Sequence, residues 1–89
     1  MRLKMFLFTV EATFSITGRG LILTPGLGDI QAAPGDLIRI VRPDQSVLET
    51  TIKAISFNHF RDILVGDGLT KADIPPGSEV WLLTKHEDL

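Results

Sequence analysis

The chain has no cysteine. That excludes disulfides, thiolate nucleophiles and cysteine-ligated metals together, and it fits a reducing compartment. Basic surplus is missing too. Nine lysines and arginines face eleven aspartates and glutamates, for a formal net charge of −2. A dedicated nucleic-acid binder usually carries a cationic excess to neutralise phosphates, so only a local patch is left for that role. Histidine is confined to His59 and the tail residue His86. Two distant imidazoles make a poor metal site, and nothing in the spacing converges a serine and a carboxylate on either one. The Gly-x-x-x-x-Gly-Lys-Ser/Thr phosphate cradle is absent, and the stretch from Gly66 to Lys71 holds similar letters in the wrong spacing. No apolar run approaches the ~20 residues of a membrane span. The opening Met1 to Phe8 imitates a signal peptide only briefly, since no small-residue cleavage site follows and Glu11 interrupts it. The terminal His86 to Leu89 looks like a scrambled retention tail, without a leader to give it meaning. The expectations are a cytoplasmic protein that is not an enzyme and has no cofactor, metal, nucleotide or membrane partner.

What is present is apolar alternation. Of the 89 residues, 44% are hydrophobic, enough for one domain spanning 1–89 with a single core. A chain of this length buries about 60–65% of its unfolded surface. From Phe6 to Ile16 the even positions are apolar and most odd ones polar, the period of a strand with one buried face. Gly18 and Gly20 supply the positive φ of a tight hairpin, and Leu21 to Thr24 returns until Pro25-Gly26 ends it. A turn at Pro34-Gly35-Asp36 launches Leu37 to Val41, with Ile38 and Ile40 facing inward. Val47 to Phe57 reads as a long strand bent near Lys53-Ala54-Ile55, where the alternation shifts. Asn58 to Asp62 is a corner, Ile63 to Val65 a short buried strand, Thr70 to Ile74 one helical turn stopped by Pro75-Pro76, and Glu79 to Leu83 the last strand. The expected core is Phe6, Phe8, Val10, Phe14, Ile16, Ile38, Ile40, Ile52, Leu64 and Val80. Short strands between Gly/Pro turns point to an all-β fold, a small six-stranded antiparallel Greek-key barrel.

Three blocks carry a resemblance that spans almost the whole chain. They are Phe14 to Gly20 with Thr24, Pro34 to Val41, and Gly68 to Ile74 with Gly77. In this order and spacing the chain resembles the second, β-barrel domain of elongation factor Tu and related translational GTPases, here without the GTPase domain. In that family the domain helps to hold the aminoacyl end of tRNA and touches the small ribosomal subunit. By resemblance, Glu11, Phe14 and Thr24 match pocket positions. The chain departs from the pattern at Ala12, where the family has an acidic residue, and in the segment between Phe57 and Ile63, shorter by roughly half a dozen residues. Gly66-Asp67-Gly68 also reverses the charge of the family's Leu-Arg-Gly.

The chemistry-bearing residues are therefore few. Arg19 between two glycines presents an anion-binding fork of donors, although such an arginine more often stays solvated or pairs locally. His59-Phe60-Arg61 puts an aromatic beside a cation, a combination that stacks a nucleobase, while Phe60 is also suited to plugging one mouth of the barrel. Trp81 fits either a half-buried strand position or a contact surface. The expectation is a non-catalytic interaction module that docks a protein or ribonucleoprotein partner through loops and outer strand faces. The alternative is an RNA-binding module related to translation, using Arg19, Arg39, Arg42, Lys53 and the 59–61 corner.

Overall fold

A computed structural model describes residues 2–66 and 68–85, with side chains from 5 to 66 and from 68 to 83. Asp67 in the expected Gly66 to Gly68 turn and the His86 to Leu89 tail lie outside the described residues. The strands are β1 (Arg2–Thr9), β2 (Ala12–Ile16), β3 (Gly20–Thr24), β4 (Leu37–Val41), β5 (Val47–Thr51), β6 (Ala54–Ile55), β7 (Ile63–Val65) and β8 (Glu79–Lys85). A single 3-10 turn at Lys71–Asp73 is the only helical segment among the described residues. It sits where the sequence places one, closed by the Thr70 amide donating to Asp73 Oδ2 at 2.7 Å.

The all-β expectation holds, and every strand pair is antiparallel. The count and closure do not. The strands form two four-stranded sheets, ordered β1-β8-β4-β5 and β2-β3-β7-β6, instead of six strands in one closed barrel. Two corners account for the difference. At Val10-Glu11 the chain leaves β1 and enters β2 of the other sheet. There the Val10 amide donates to the Ser78 carbonyl at 2.8 Å, and the Glu11 amide to the Thr24 carbonyl at 2.9 Å. At Ile52-Lys53 it passes from β5 to β6, the Ile52 amide bonding Asp36 and the Lys53 amide bonding Leu64. Each long alternating stretch therefore counts as two strands, one per sheet. The shifted alternation near Lys53 marks the second corner.

The core lies between the sheets. Val10, Leu21, Leu23, Ile38, Ile40, Ile52, Ile63, Val65, Ile74 and Val80 are all at most 1% exposed, joined by Leu7, Phe8, Leu27, Leu82 and Leu83. Of the expected core, Phe8, Val10, Ile38, Ile40, Ile52 and Val80 are buried. Phe6, Phe14 and Ile16 are not, with exposures of 42%, 51% and 37%, and Leu64 is only half-buried. The alternation of the first stretch is real, but its phase flips twice. The β1–β8 register shifts between Phe6 and Phe8, so Leu7 and Phe8 both turn inward. The Val10-Glu11 corner then restores the first phase and puts Thr13, not Phe14, inside.

The hairpin glycines behave as the turn demands, with φ of 77° at Gly18 and 138° at Gly20. A Cβ on Gly20 would overlap the Val65 carbonyl oxygen.

Candidate docking face

The two sheets have unlike outer faces. On the first, Phe6, Trp81, Arg39 and Glu49 are successive register partners across all four strands. They satisfy one another: the Phe6 and Trp81 rings meet edge-on at 5.2 Å, and Arg39 Nη2 pairs with Glu49 Oε2 at 2.7 Å. Trp81, half-buried, donates from Nε1 to Glu79 Oε1 at 3.1 Å.

The second outer face has almost no polar chemistry of its own. Alternation from the inward Thr13, Leu21, Leu23, Ile63 and Val65 leaves Phe14 and Ile16 of β2, Ile22 of β3 and Leu64 of β7 facing out. Phe14 pairs with Ile22, and Ile22 with Leu64. A groove of about 400 Å³ runs over this face, lined by Ile16, Ile22, Ala54, Ile55, Ile63 and Leu64, with Arg19, Ser56, Asn58 and Asp62 at its rim. Continuous apolar runs produce this surface. Leu21-Ile22-Leu23 and Ile63-Leu64-Val65 are apolar on both faces, a pattern that elsewhere marks strands covered on both sides. Among the described residues no second layer covers this face, and only Lys71 of the 3-10 turn reaches over it, at Phe14.

The expected site residues fall into three places. Arg19 is exposed at one end of the groove, and among the described residues its guanidinium has no hydrogen-bond or ion-pair partner. Its carbonyl accepts from Lys53 Nζ at 2.9 Å. Glu11 and Thr24 lie toward the opposite end of the β2–β3 hairpin, and Phe14 stands at its middle, paired with Ile22. Thr24 Oγ1 is committed to the Ala12 carbonyl at 3.1 Å, Glu11 is exposed, and Lys71 Nζ lies 5.7 Å from the centre of the Phe14 ring.

The third place is the 56–61 corner. Arg61 is built into it and is not held out to a ligand. Arg61 has φ of 56°, and its Nη1 donates to the carbonyls of Gly28 at 3.1 Å and Ile30 at 2.9 Å. Asn58 Oδ1 accepts from the Arg61 amide at 2.8 Å, and Ser56 Oγ from the Asn58 amide at 3.1 Å. Gly26 packs against this backbone so closely that a Cβ would strike the Phe60 carbonyl. His59 and Phe60 meet edge-on at 5.4 Å. Phe60 is 59% exposed and plugs nothing, while Phe57 is wholly exposed. A second groove, about 490 Å³, separates this corner from the loop carrying Gly28, Ala32 and Pro34.

Sequence reasoning missed Ile22, Leu64 and Phe57. The first two were signalled by their unbroken apolar runs. Phe57 carried no signal beyond its place at the end of a strand. Of the cations grouped for RNA, Arg19 and Lys53 are brought together, and the rest are not. Arg39 sits on the first sheet, and Arg42 is committed through Nε to the Asp73 carbonyl at 2.6 Å and through Nη1 to Ser46 Oγ at 3.1 Å. Among the described residues, no three His, Asp or Glu side chains stand close enough to hold a metal ion. No helix there is long and apolar enough to cross a membrane. In comparisons with protein families, with curated proteins and with solved structures, nothing matches this chain.

Proposed function

We propose that this chain is a non-catalytic module that docks a protein partner through the outer face of the β2-β3-β7-β6 sheet. The observation that carries the reading is the contrast between the two outer faces. One engages its central aromatic and charged groups with one another, with Phe6 and Val47 exposed beside them. The other leaves Phe14 and Ile16 exposed and Ile22 and Leu64 half-buried around a groove with polar groups at its rim. Contiguous exposed apolar surface with a polar rim marks interaction sites. The 56–61 corner lies beside the groove and adds Phe57 and Phe60 on a backbone already fixed by hydrogen bonds, so ordering them costs little on binding.

The finer architecture belongs to the same proposal. Because β1 runs on into β2 and β5 into β6, the pairing order passes through one sheet and returns through the other. That circuit is what a barrel like the second domain of translational GTPases requires. A ribonucleoprotein partner and a cytoplasmic setting accompany this lineage. One observation favours an RNA contact: Lys71 stands over the exposed Phe14 ring, a cation-plus-aromatic pair suited to stacking a base.

The test is capture from native lysate with the wild type and with Leu64→Glu. The variant should melt like the wild type, because Leu64 faces outward, yet lose the wild type's partner. A phosphate-driven contact should weaken steeply between low and ~0.3 M salt, whereas apolar docking should persist. A folded Leu64→Glu variant that keeps every partner overturns the docking face.

A further inference from the structure

We propose that this face pairs with the same face of a second copy of the chain, about a two-fold axis that lies in the interface and crosses the strands. The inference rests on the docking reading above and names an occupant for that face. An isologous interface must be self-complementary, each end of the patch offering what the other end needs. This face is polar in that sense. Arg19 stands beyond the Gly20 end of β3, with the Lys53 ammonium anchored on its carbonyl. Asp62 precedes Ile63, whose register partner is Leu23, so it stands at the other end of β3. The exposed Glu11 is at that end too, its amide bonded to the Thr24 carbonyl.

About four residues of strand, roughly 13 Å, separate the two ends. Arg19 and Asp62 both line the groove, and no ion pair joins them within one chain. Phe14, Ile22 and Leu64, successive register partners, occupy the middle, with Ile16 at the Arg19 end. Turning a second copy over about the stated axis lays apolar centre on apolar centre. Arg19 of each copy then faces Asp62 of the other. Phe57, wholly exposed just past Ser56 at the Asp62 end, falls beside the same guanidinium, a ring that a cation favours.

The face is small. Strands of five, five, three and two residues at ~4.8 Å spacing and ~3.3 Å rise give about 240 Å² of flat area. Stable complexes bury about 800 Å² per partner, so the dimer is weak, with a dissociation constant of ~10–1,000 µM. Pairing covers the docking face, so self-association and partner binding exclude each other.

Sedimentation velocity from ~5 µM to ~1 mM tests this, on the full chain and on two charge variants, at the exposed Arg19 (Arg19→Asp) and the half-buried Asp62 (Asp62→Arg). Circular dichroism confirms that both variants fold. The wild type should dimerise reversibly. Each variant alone places like charges at both symmetric contacts and should weaken dimerisation about tenfold or more. An equimolar mixture of the two restores both contacts in a heterodimer and should recover affinity to within about threefold of the wild type. A wild type that stays monomeric, a dimer indifferent to both variants, or a mixture without recovery overturns the pairing. None of those results removes the docking face, which fails separately if folded Leu64→Glu keeps its partners.

Discussion

Gly18 and Gly20 share a turn and a positive φ, but different neighbours constrain them. Nothing lies within 4 Å of a Cβ built on Gly18, so an alanine there meets only the backbone cost of φ 77°. At Gly20 the added carbon meets the Val65 carbonyl, which β7 holds in place. Gly18→Ala should therefore cost about 1 kcal/mol and Gly20→Ala about 2–4 kcal/mol in urea unfolding. Equal costs at both positions would refute the close approach. Asp44 offers a second check at this scale. The Ser46 hydroxyl donates to Asp44 Oδ1 at 2.6 Å and the Ser46 amide at 2.9 Å. Those bonds, with Arg42 nearby, hold its carboxyl below the ordinary 3.8. Because the folded-state value is depressed, its stabilising contribution is present above 3.8 and lost as pH falls through the folded-state value. An NMR titration should find the Asp44 midpoint below 3.8 in the wild type and shifted upward in Ser46→Ala. A wild-type midpoint at or above the ordinary value would discard the turn's hydrogen bonds in solution.

Among elements, the first long extended stretch shows what a sequence can and cannot reveal. Period-two alternation from Phe6 to Ile16 announces a strand, because side chains on a pleat point alternately to its two faces. It does not announce phase. A register slip between Phe6 and Phe8 and a corner at Val10-Glu11 each shift the phase, and neither needs a glycine or a proline. Ile38 and Ile40 suffer no such slip, and both are 0% exposed as their spacing implies. The contrast is measurable. Ile38→Asp buries an unpaired carboxylate between the sheets and should abolish cooperative unfolding in a domain with ~5–10 kcal/mol of stability. Ile16→Asp places the same charge at a position 37% exposed and should cost about 2 kcal/mol or less. If Ile16→Asp also fails to fold, the phase assigned to β2 is wrong. The turns were the most legible elements, since Gly20, Gly35 and Gly77 all stand at positive φ. The candidate face was the least legible. An apolar run such as Ile63-Leu64-Val65 reads the same whether its second face is covered or bare, and only the placement of the neighbouring strands decides.

At the scale of the whole molecule, 44% hydrophobic residues exceed what one inter-sheet layer can bury. Among the described residues the excess appears at Phe14 and Ile16 on the outer face of β2-β3-β7-β6, at Met5, Phe6 and Val47 on the first sheet, and at Phe57 and Phe60 of the corner. The same economy limits chemistry. Phosphate cradles usually combine a glycine-rich loop with the N-terminus of a helix, whose free amides point at the anion. Among the described residues the only helical segment is the 3-10 turn at Lys71–Asp73. The Thr70 amide at its start is already committed to the Asp73 carboxylate, a negative group where a phosphate would need a donor. The proposed module thus carries no expectation of nucleotide binding. Calorimetric titration of the full chain with GTP and magnesium should give only the heat of dilution. Saturable heat with a dissociation constant near ~1–10 µM, a gain of roughly 7–8 kcal/mol in binding free energy, would require a cradle not found among the described residues. It would overturn the non-catalytic reading, and it would do so without touching the docking face, because Leu64→Glu leaves the 3-10 turn unaltered.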